Sequence, residues 1–350
     1  MQIQFEEILG NSLNRAIERD EALFLFQETE DENKAEQLFR TARRVREKVK
    51  GNSFEWSAGI ARVLKCKLKP LCKYCPYWRE KGQIPLSIEE IIEGVAYIRQ
   101  QGIKNFHLSG GTTLGSEGYD VLEMVQAIRD AGYTDMAIAV NCGAAMSLDT
   151  LKKLKSLGVY RVSSVFETIN PEVFKRTKPG DDLEAKMQFA QRIGEAGLQL
   201  GTGVMAGLSP QETKYQDYVD FMFHIKQYEH LQFAYVTKFT PFKGIALEDH
   251  PACSTQEAAR VIAVMRLVMP NIDIGSAAGW TADDYPTPLM AGSGNKASAI
   301  HINRTPDWKK GTLTDGCFYR GNVEYRNTME PVKMRHQELG ITIGSSNITY

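Results

Sequence analysis

From residue 54 onwards, short apolar runs alternate with longer amphipathic segments along the chain. The apolar runs have the length of buried strands, and the segments between them repeat apolar residues at the three-to-four spacing of a helix. The predicted strands span residues 54–60, 105–111, 135–141, 159–167, 198–208, 231–239, 271–277 and 297–303. The predicted helices span residues 87–101, 119–131, 147–157, 182–196, 211–229 and 254–268, with a last candidate at 324–338.

Helix-capping residues support this division of the chain. Ser87, Ser147 and Ser254 each stand directly before a predicted helix, where a serine side chain can accept a backbone N–H. A succession of eight strand-then-helix units implies parallel strands, because parallel neighbours need a crossover connection. We therefore predict an α/β fold, in which residues 51–350 form a (β/α)8 TIM barrel with a C-terminal helix. Residues 1–50, whose apolar positions also recur at helical spacing, are predicted to form a helical N-terminal extension.

The composition excludes several classes of protein. The 350 residues include 42 Lys+Arg and 43 Asp+Glu, so the formal net charge is −1 and no basic field favours nucleic acid or a membrane surface. No apolar stretch approaches the roughly 18 residues of a membrane-spanning helix. The N-terminal residues lack the basic and apolar regions of a secretory signal. We therefore expect a cytoplasmic protein that binds neither nucleic acid nor membrane, and whose six cysteines are not a disulfide framework.

Three of the cysteines, Cys66, Cys72 and Cys75, follow directly after the first predicted strand. Their C-x5-C-x2-C spacing lets three thiolates converge on one metal centre, at the end of the barrel where (β/α)8 enzymes carry their chemistry. A structural zinc site needs a fourth ligand from elsewhere in the chain. A [4Fe–4S] cluster on three cysteines instead leaves one iron open to a substrate or cofactor. A disulfide with one free thiol is disfavoured by the compartment, and the residues alone leave iron–sulfur and zinc equally open.

Several motifs, in chain order, resemble those of the radical S-adenosylmethionine (radical SAM) superfamily. Tyr74, directly before Cys75, is similar to the aromatic position of the superfamily's CxΦC cluster signature, and residues 109–112 (SGGT) resemble its GGE motif with threonine replacing the acid. The sequence ETINPE at 167–172, followed by a basic stretch through 178–180, resembles the motif after strand four of the biotin-synthase-like branch. Later segments that resemble this branch are residues 203–208, 240–247 and 289–303. The resemblance covers about residues 50–340 and favours iron–sulfur over zinc.

The cysteine spacing differs from the usual pattern of that branch. The branch typically has C-x3-C-x2-C, so this chain carries two additional residues between its first two cysteines. The longer loop resembles that of the HmdB-type (HcgA) enzymes, radical SAM proteins of guanylylpyridinol cofactor biosynthesis for [Fe]-hydrogenase. Methylornithine formation and [FeFe]-hydrogenase maturation are alternative activities within the branch, but they do not account for the longer loop. A non-catalytic, zinc-stabilised barrel acting as a scaffold is the alternative outside enzymes.

The resemblance implies bound S-adenosylmethionine and a [4Fe–4S] cluster on the three cysteines, which together generate a 5′-deoxyadenosyl radical that abstracts hydrogen from a small substrate. It implies that Gly110, Gly111 and Thr112 lie along the methionyl amine, and that Glu167 binds the ribose hydroxyls. Lys186 stands where the branch carries an arginine for the methionyl carboxylate, and lysine keeps the charge but loses the bidentate geometry. Each of these residues also has an ordinary structural explanation, such as a tight turn or a solvated helix face. The candidate adenine contacts are Tyr74 and Met205.

Polar residues near the ends of the predicted strands are candidate substrate contacts. Cys142, at the end of the third strand, is a candidate hydrogen-atom donor, although a lone cysteine there is more often a small buried apolar residue. Lys238 is a candidate anchor for a substrate carboxylate, and Tyr235, on the same predicted strand, is a further candidate catalytic residue. The remaining candidates are Glu55, Asn141, Ser164, Thr202, Ser276, His301 and Asn303.

Four lysines, Lys65, Lys67, Lys69 and Lys73, surround the cysteines. Such a run of charge usually forms a solvated face, but here it also suits an acidic electron donor such as flavodoxin or ferredoxin. The predicted partners are therefore a small-molecule substrate and an electron-donor protein.

Overall fold

A computed structural model describes residues 2–79, 82–144, 146–281, 283–304 and 316–344. The chain begins with three helices, as the periodicity of its first 50 residues predicts. The third of these is capped by Asp31, whose side chain accepts the backbone N–H of Lys34. The bounds of the three helices are Gln2–Ser12 (α1), Arg19–Glu28 (α2) and Glu32–Lys50 (α3).

All eight predicted strands form in the described part of the chain, and each pairs in parallel with its neighbours. Along the sheet they lie in the order β7-β6-β5-β4-β3-β2-β1-β8, as consecutive strand–helix–strand units require. Their carboxyl ends therefore lie at one edge, where the loops that follow them meet. The strands are Ser53–Ala61 (β1), Asn105–Ser109 (β2), Ala137–Asn141 (β3), Val159–Ser163 (β4), Gln199–Ala206 (β5), Leu231–Lys238 (β6), Asp273–Ser276 (β7) and Lys296–Arg304 (β8).

Helices cover the outside of the sheet. The predicted serine caps are confirmed, since Ser87, Ser147 and Ser254 each accept a backbone N–H from the first turn of the helix that follows. Ser87 also forms a reciprocal capping box with Glu90. These helices are Ile88–Gln100 (α4), Tyr119–Asp130 (α5), Leu148–Ser156 (α6), Pro171–Thr177 (α7), Leu183–Glu195 (α8), Lys214–Ile225 (α9), Thr255–Val268 (α10) and Thr287–Met290 (α11).

The C-terminal region differs from the prediction of one helix at 324–338. Its first residues instead form β10 (Val323–Asn327), which pairs antiparallel with β8 and with β9 (Cys317–Arg320). The helical part is α12 (Met329–Glu338), and β11 (Thr342–Gly344) then pairs with the start of β1. The prediction was wrong at 324–327 because Val323 and Tyr325 alternate with polar residues and are buried, which is strand periodicity.

The hydrogen-bonded ladder runs without interruption from β7 to β8 by way of β1, and β8 then pairs with β10 on its other edge. In the described residues no ladder joins β7 directly to β8. The contact between them is a bridge just before β8, in which Ile274 and Gly294 exchange backbone hydrogen bonds. The eight strands therefore have the arrangement of a TIM-like barrel, with a seam between the last two.

The two faces of the sheet have different chemistry. Ile60 of β1 and Ile302 of β8 point outwards, since a Cβ added at Gly94 of α4 would lie 3.2 and 3.1 Å from their side chains. The alternate residues of these strands, including Gly59 and His301, therefore point inwards. The outer face is apolar and buried under the helices, whereas the inner face carries polar side chains.

The N-terminal helices share their core with the barrel. Buried side chains of α3, such as Leu38 and Phe39, belong to the same continuous apolar cluster as those of α10, against which α3 packs. Among the described helices, none combines the length and the apolar character that crossing a bilayer requires.

Candidate active site

The cysteine-bearing loop follows β1 and is tied to the loops after β2 and α7. The backbone N–H of Lys67 donates to the carbonyl of Thr112 at 2.9 Å, and the N–H of Lys73 donates to the carbonyl of Thr177 at 2.8 Å. Arg79 clamps the loop from its far side, because its guanidinium donates to the carbonyls of Cys72 and Cys75 at 2.6 Å each. The loop is therefore held by backbone contacts at the carboxyl end of the sheet.

The three thiols lie close enough to influence one another electrostatically. Burial raises the pKa of the Cys75 thiol to about 11, and the neighbouring thiols of Cys72 and Cys66 act in the same direction. Burial likewise raises the pKa of Cys72, while the Lys178 ammonium opposes that rise. Because a metal ligand must be a thiolate, deprotonation here has to be coupled to binding of a positively charged centre. In the described residues, no three His, Cys, Asp or Glu side chains are grouped as a site for a single metal ion.

Gly110 and Gly111 bring the loop after β2 into direct contact with the cysteine loop. The N–H of Gly111 donates to the carbonyl of Leu64 at 2.7 Å, and a Cβ added at Gly111 would overlap the backbone of Cys66. A Cβ added at Gly110 would lie 2.7 Å from Leu64 and 3.1 Å from the sulfur of Cys142. Both positions therefore require glycine because the backbones approach too closely for any side chain.

Glu167, at the end of the segment that follows β4, is buried in an unusual conformation. Its φ is +63°, which is uncommon for a residue other than glycine, and its backbone pairs with Val204 of β5. Its Oε2 is buried with no hydrogen-bond partner in the described residues. Burial raises the pKa of this carboxyl to about 7, although the ammonium groups of Lys178 and Lys186 lower it. A strained, buried carboxylate with a free acceptor is the signature of a ligand contact.

Met205 and two tyrosines lie around Glu167. The N–H of Met205 donates to the carbonyl of Glu167 at 2.9 Å, which places this buried methionine beside it. The side chains of Tyr74 and Tyr235 are both close enough to the carboxylate for it to raise their pKa, on top of the larger effect of burial. The cysteine loop and the ends of β5 and β6 therefore converge on Glu167.

Lys186 belongs to a buried cluster of charge that includes two residues the sequence motifs left without a role. Lys178 and Lys186 each place Nζ 3.1 Å from the same oxygen of Asp181, and all three side chains are less than 5% exposed. Burial lowers the pKa of Lys186 to about 8, and the nearby Lys178 acts in the same direction. Two ammonium groups share one carboxylate, so the cluster carries excess positive charge beside Cys72 and Glu167. Such a cluster suits an anionic group of a ligand.

The candidate substrate residues occupy different surroundings. Tyr235 is half-buried inside the barrel, with its ring against Gly203 of β5. Lys238 is engaged in an ion pair with Asp284 at 2.7 Å, which ties the end of β6 to the loop after β7. Cys142 is 1% exposed within the apolar core behind Gly110, where burial raises the pKa of its thiol to about 12. Of the three, the structure brings Tyr235 close to Glu167, while Lys238 and Cys142 have other neighbours.

Residues 62–222 match the model of the radical SAM superfamily. The chain is 30% identical to the uncharacterized protein MJ0785 of Methanocaldococcus jannaschii, in an alignment that covers 95% of this chain and 84% of the relative. The chain belongs to the radical SAM superfamily. Its cofactors are accordingly a [4Fe–4S] cluster and S-adenosylmethionine, and the enzymes of this superfamily act on small-molecule or peptide substrates with the help of an electron donor.

More distant relatives indicate the biotin-synthase-like branch. The chain is 24% identical to the [FeFe] hydrogenase maturase subunit HydE of Thermotoga maritima, over 68% of this chain and 67% of the relative. It is 23% identical to a biotin synthase of Clostridium botulinum, over 78% of this chain and 87% of the relative. Among solved structures, methylornithine synthase (PylB) superposes with a TM-score of 0.77 at 19% identity, covering 96% of this chain and 97% of that one. HydG superposes with a TM-score of 0.80 at 21% identity, covering 99% of this chain and 76% of that one.

The residues at the mouth of the radical SAM barrel fit these cofactors. Three neighbouring thiols on a single loop match, by number and residue type, the three-cysteine ligand set of a cluster with one open iron. The backbone of Gly111 packs directly against that of Cys66, and the unpartnered Oε2 of Glu167 supplies an acceptor for a hydroxyl group. The excess positive charge of Lys178 and Lys186 complements a carboxylate.

We predict that Gly111→Ala prevents normal cluster assembly. The added methyl group would overlap the backbone of Cys66 and push the cysteine loop away, at a cost of about 1–3 kcal/mol in unfolding free energy. Iron and sulfide analysis after anaerobic reconstitution should give about four of each per wild-type chain and substantially less for the variant. Gly10→Ala is the matched control, since no atom lies within 4 Å of a Cβ added there. Equal iron content in both variants would contradict the prediction.

We predict that Glu167 makes the ligand-free protein less stable as the pH rises. Its folded-state pKa of about 7 exceeds the ordinary value of 4.5, so between these values the folded chain holds a proton that the unfolded chain releases. Between about pH 5 and pH 8, the wild type should lose about 2 kcal/mol more unfolding free energy than Glu167→Gln. Chemical denaturation at both pH values measures this difference. Glu172→Gln, an exposed carboxylate on α7, should behave like the wild type.

Proposed function

We propose that Cys66, Cys72 and Cys75 hold the cluster and that S-adenosylmethionine binds between the cysteine loop and the ends of β4 and β5. We further propose that the product of the reaction serves guanylylpyridinol cofactor biosynthesis. The observation that carries the proposal is the convergence of three groups at one place. The Lys178–Asp181–Lys186 cluster joins the other two, because its lysines lie close enough to shift the pKa of Cys72 and of the unpartnered Glu167 carboxylate. Each group complements a different part of S-adenosylmethionine.

The residues of this chain bind and orient the cofactor. When bound, the cluster and S-adenosylmethionine supply one-electron cleavage of a carbon–sulfur bond and a 5′-deoxyadenosyl radical that abstracts hydrogen from the substrate. Lys186, assisted by Lys178, neutralises the methionyl carboxylate. Gly110, Gly111 and Thr112 present backbone to the methionyl amine. Glu167 accepts hydrogen bonds from the ribose hydroxyls, and its ionisation is favoured by the two lysines.

The remaining candidate residues line the sides of this space. Tyr74 and Met205 would border the adenine, and the buried Met205 helps to exclude water from it. Tyr235 lies deeper in the barrel, where it can contact the substrate. The ion pair between Lys238 and Asp284 holds the loop after β7 against the end of β6. Cys142 is a candidate hydrogen-atom donor.

Electrons enter from the face that carries the cysteine loop. Lys65, Lys67 and Lys69 are exposed there, and Lys73 is half-buried. This basic patch favours an acidic partner through electrostatic steering, as expected for flavodoxin or ferredoxin.

The longer cysteine loop supports the assignment to the HmdB-type enzymes. Its additional residues fall between Cys66 and Cys72, and a Cβ added at Gly180 would overlap Lys69 and Pro70 of this loop. Gly180 immediately precedes Asp181, so the extra loop length is packed against the segment that carries the lysine–aspartate cluster. The longer spacing is therefore accommodated by a specific contact, as expected of a feature that belongs to a subfamily.

We predict that the reconstituted, dithionite-reduced protein forms 5′-deoxyadenosine from S-adenosylmethionine. We also predict that Lys186→Met raises the KM for S-adenosylmethionine about tenfold or more, because losing one charge-assisted hydrogen bond to a carboxylate weakens binding by about that factor. Lys186→Arg should restore most of the affinity, and Lys175→Met, on the exposed side of α7, should leave the KM unchanged. Chromatographic quantitation of 5′-deoxyadenosine measures both effects. Absence of product from fully reconstituted wild type would overturn the proposed chemistry.

We predict that deletion of the gene in its host abolishes the guanylylpyridinol cofactor. Extracts should regain the cofactor when the wild-type gene is returned, but not when the Cys66→Ala variant is returned, because that variant lacks one cluster ligand. Mass spectrometry of the extracted cofactor measures the outcome. Unchanged cofactor in the deletion strain would exclude this pathway, and loss of methylornithine or of [FeFe]-hydrogenase activity would indicate another role within the branch.

A further inference from the structure

A belt of residues, three of which have polar side chains, crosses the inside of the barrel below the cofactor residues. It consists of His301 of β8, Gly59 of β1, His107 of β2, Ala139 of β3 and Arg161 of β4, which are partners in register across five neighbouring strands. Residues in register on parallel strands point to the same face, and Gly59 and His301 point inwards. Arg161 therefore brings a guanidinium group into the barrel interior.

Arg161 is buried without a counter-ion. It is 8% exposed, and among the described residues it makes no ion pair and no hydrogen bond, with Nε fully buried and unpaired. Its neighbours are the rings of Phe233 at 4.2 Å and Tyr160 at 5.2 Å and the bare backbone of Gly201. By contrast, the buried Arg266 donates to four backbone carbonyls. An unpaired buried cation is costly, and a bound anion would offset that cost.

The surroundings of Arg161 form a space of limited depth. On the side away from Glu167, Lys296 of β8 donates to the hydroxyl of Tyr160 of β4 at 3.1 Å. This hydrogen bond spans the barrel and closes the space around Arg161 at that end. The side chain of Arg161 packs on Gly201, whereas Glu167 pairs with Val204, three residues further along β5. At the rise of a strand, that separation is about 10 Å. A small molecule held at Arg161 would therefore reach the level of the cofactor residues.

We propose that Arg161 anchors a carboxylate of the substrate inside the barrel, beneath the S-adenosylmethionine site. The proposal rests on the proposed function in one respect, which is that the bound anion is identified as the substrate of the radical reaction. A planar carboxylate matches the two-pronged guanidinium geometry, and its negative charge balances the positive charge of Arg161.

The histidines of the belt favour a monoanion over a phosphate. Burial lowers the pKa of His107 to about 4 and also lowers that of His301, so both rings are neutral at neutral pH. They add hydrogen-bonding capacity for the uncharged groups of the substrate without adding positive charge.

The test uses the full-length reconstituted protein and acetate as the probe, compared with chloride at equal ionic strength. Acetate at about ten times its dissociation constant should raise the thermal midpoint of the wild type by about 2 °C. Arg161→Met should abolish this response. It should also raise the acetate-free midpoint above that of the wild type, because the variant removes an unpaired buried charge.

Arg129→Met is the matched control. Arg129 is a half-buried arginine on α5 that donates to backbone carbonyls, so its replacement should lower the midpoint and leave the acetate response intact. If Arg161→Met lowers the midpoint and retains the acetate response, Arg161 is a structural partner of Phe233 and the proposal is wrong. A wild type that does not respond to acetate also overturns it.

These outcomes are separate from the test of the radical chemistry. An acetate response that depends on Arg161, in a protein that forms no 5′-deoxyadenosine, would leave the anion site standing and remove the proposed function. Formation of 5′-deoxyadenosine without an acetate response would support the proposed function and overturn the anion site at Arg161.

Discussion

The active site depends on one close approach between two backbone segments, the glycine pair after β2 and the cysteine-bearing loop after β1. Gly111 donates to the carbonyl of Leu64, and Thr112 accepts the N–H of Lys67, so the two loops continue the pairing of their strands beyond the sheet. Only a residue without a side chain leaves Cys66 room at this contact. The position of the first cysteine is therefore set by the neighbouring strand, and Arg79 holds the other two cysteines through their carbonyls.

The distribution of charge inside the barrel follows from what each buried group faces. Asp181 is shared by Lys178 and Lys186, which leaves a surplus of positive charge beside the thiols and Glu167. Lys238 is neutralised by Asp284 at the rim. Arg161 has aromatic rings around it and no carboxylate among the described residues. The rim lysine is thus neutralised within the protein, whereas the cation inside the barrel has no carboxylate partner among the described residues.

Sequence patterns predicted the eight parallel strands and their capped helices because buried strands are short apolar runs and serine caps are local signals. They did not predict β10, because a single short alternating segment next to a helix can be interpreted either as a strand or as the first turn of that helix. Spacing alone also left zinc and iron–sulfur open, and the motifs in order decided between them. The sequence did not identify Arg161 as a candidate, because a charged residue within a strand can face into the barrel or out of it. The strand register determines which of the two faces it occupies. Asp181 lies one residue beyond the quoted basic stretch, and its pairing with two lysines became apparent only from their contacts.

The sequence by itself determined the order of the eight parallel strands, the glycines at the contact with the cysteine loop and the three cysteines proposed as cluster ligands, because these are properties of local spacing and residue type. The tertiary structure decided the convergence of Glu167, Lys178 and Lys186 on the cysteines, the seam between β7 and β8, and the isolation of Arg161 inside the barrel. Those features depend on which residues from distant parts of the chain become neighbours. That is decided by strand register and by the packing of helices around the sheet, and neither is encoded in a short segment.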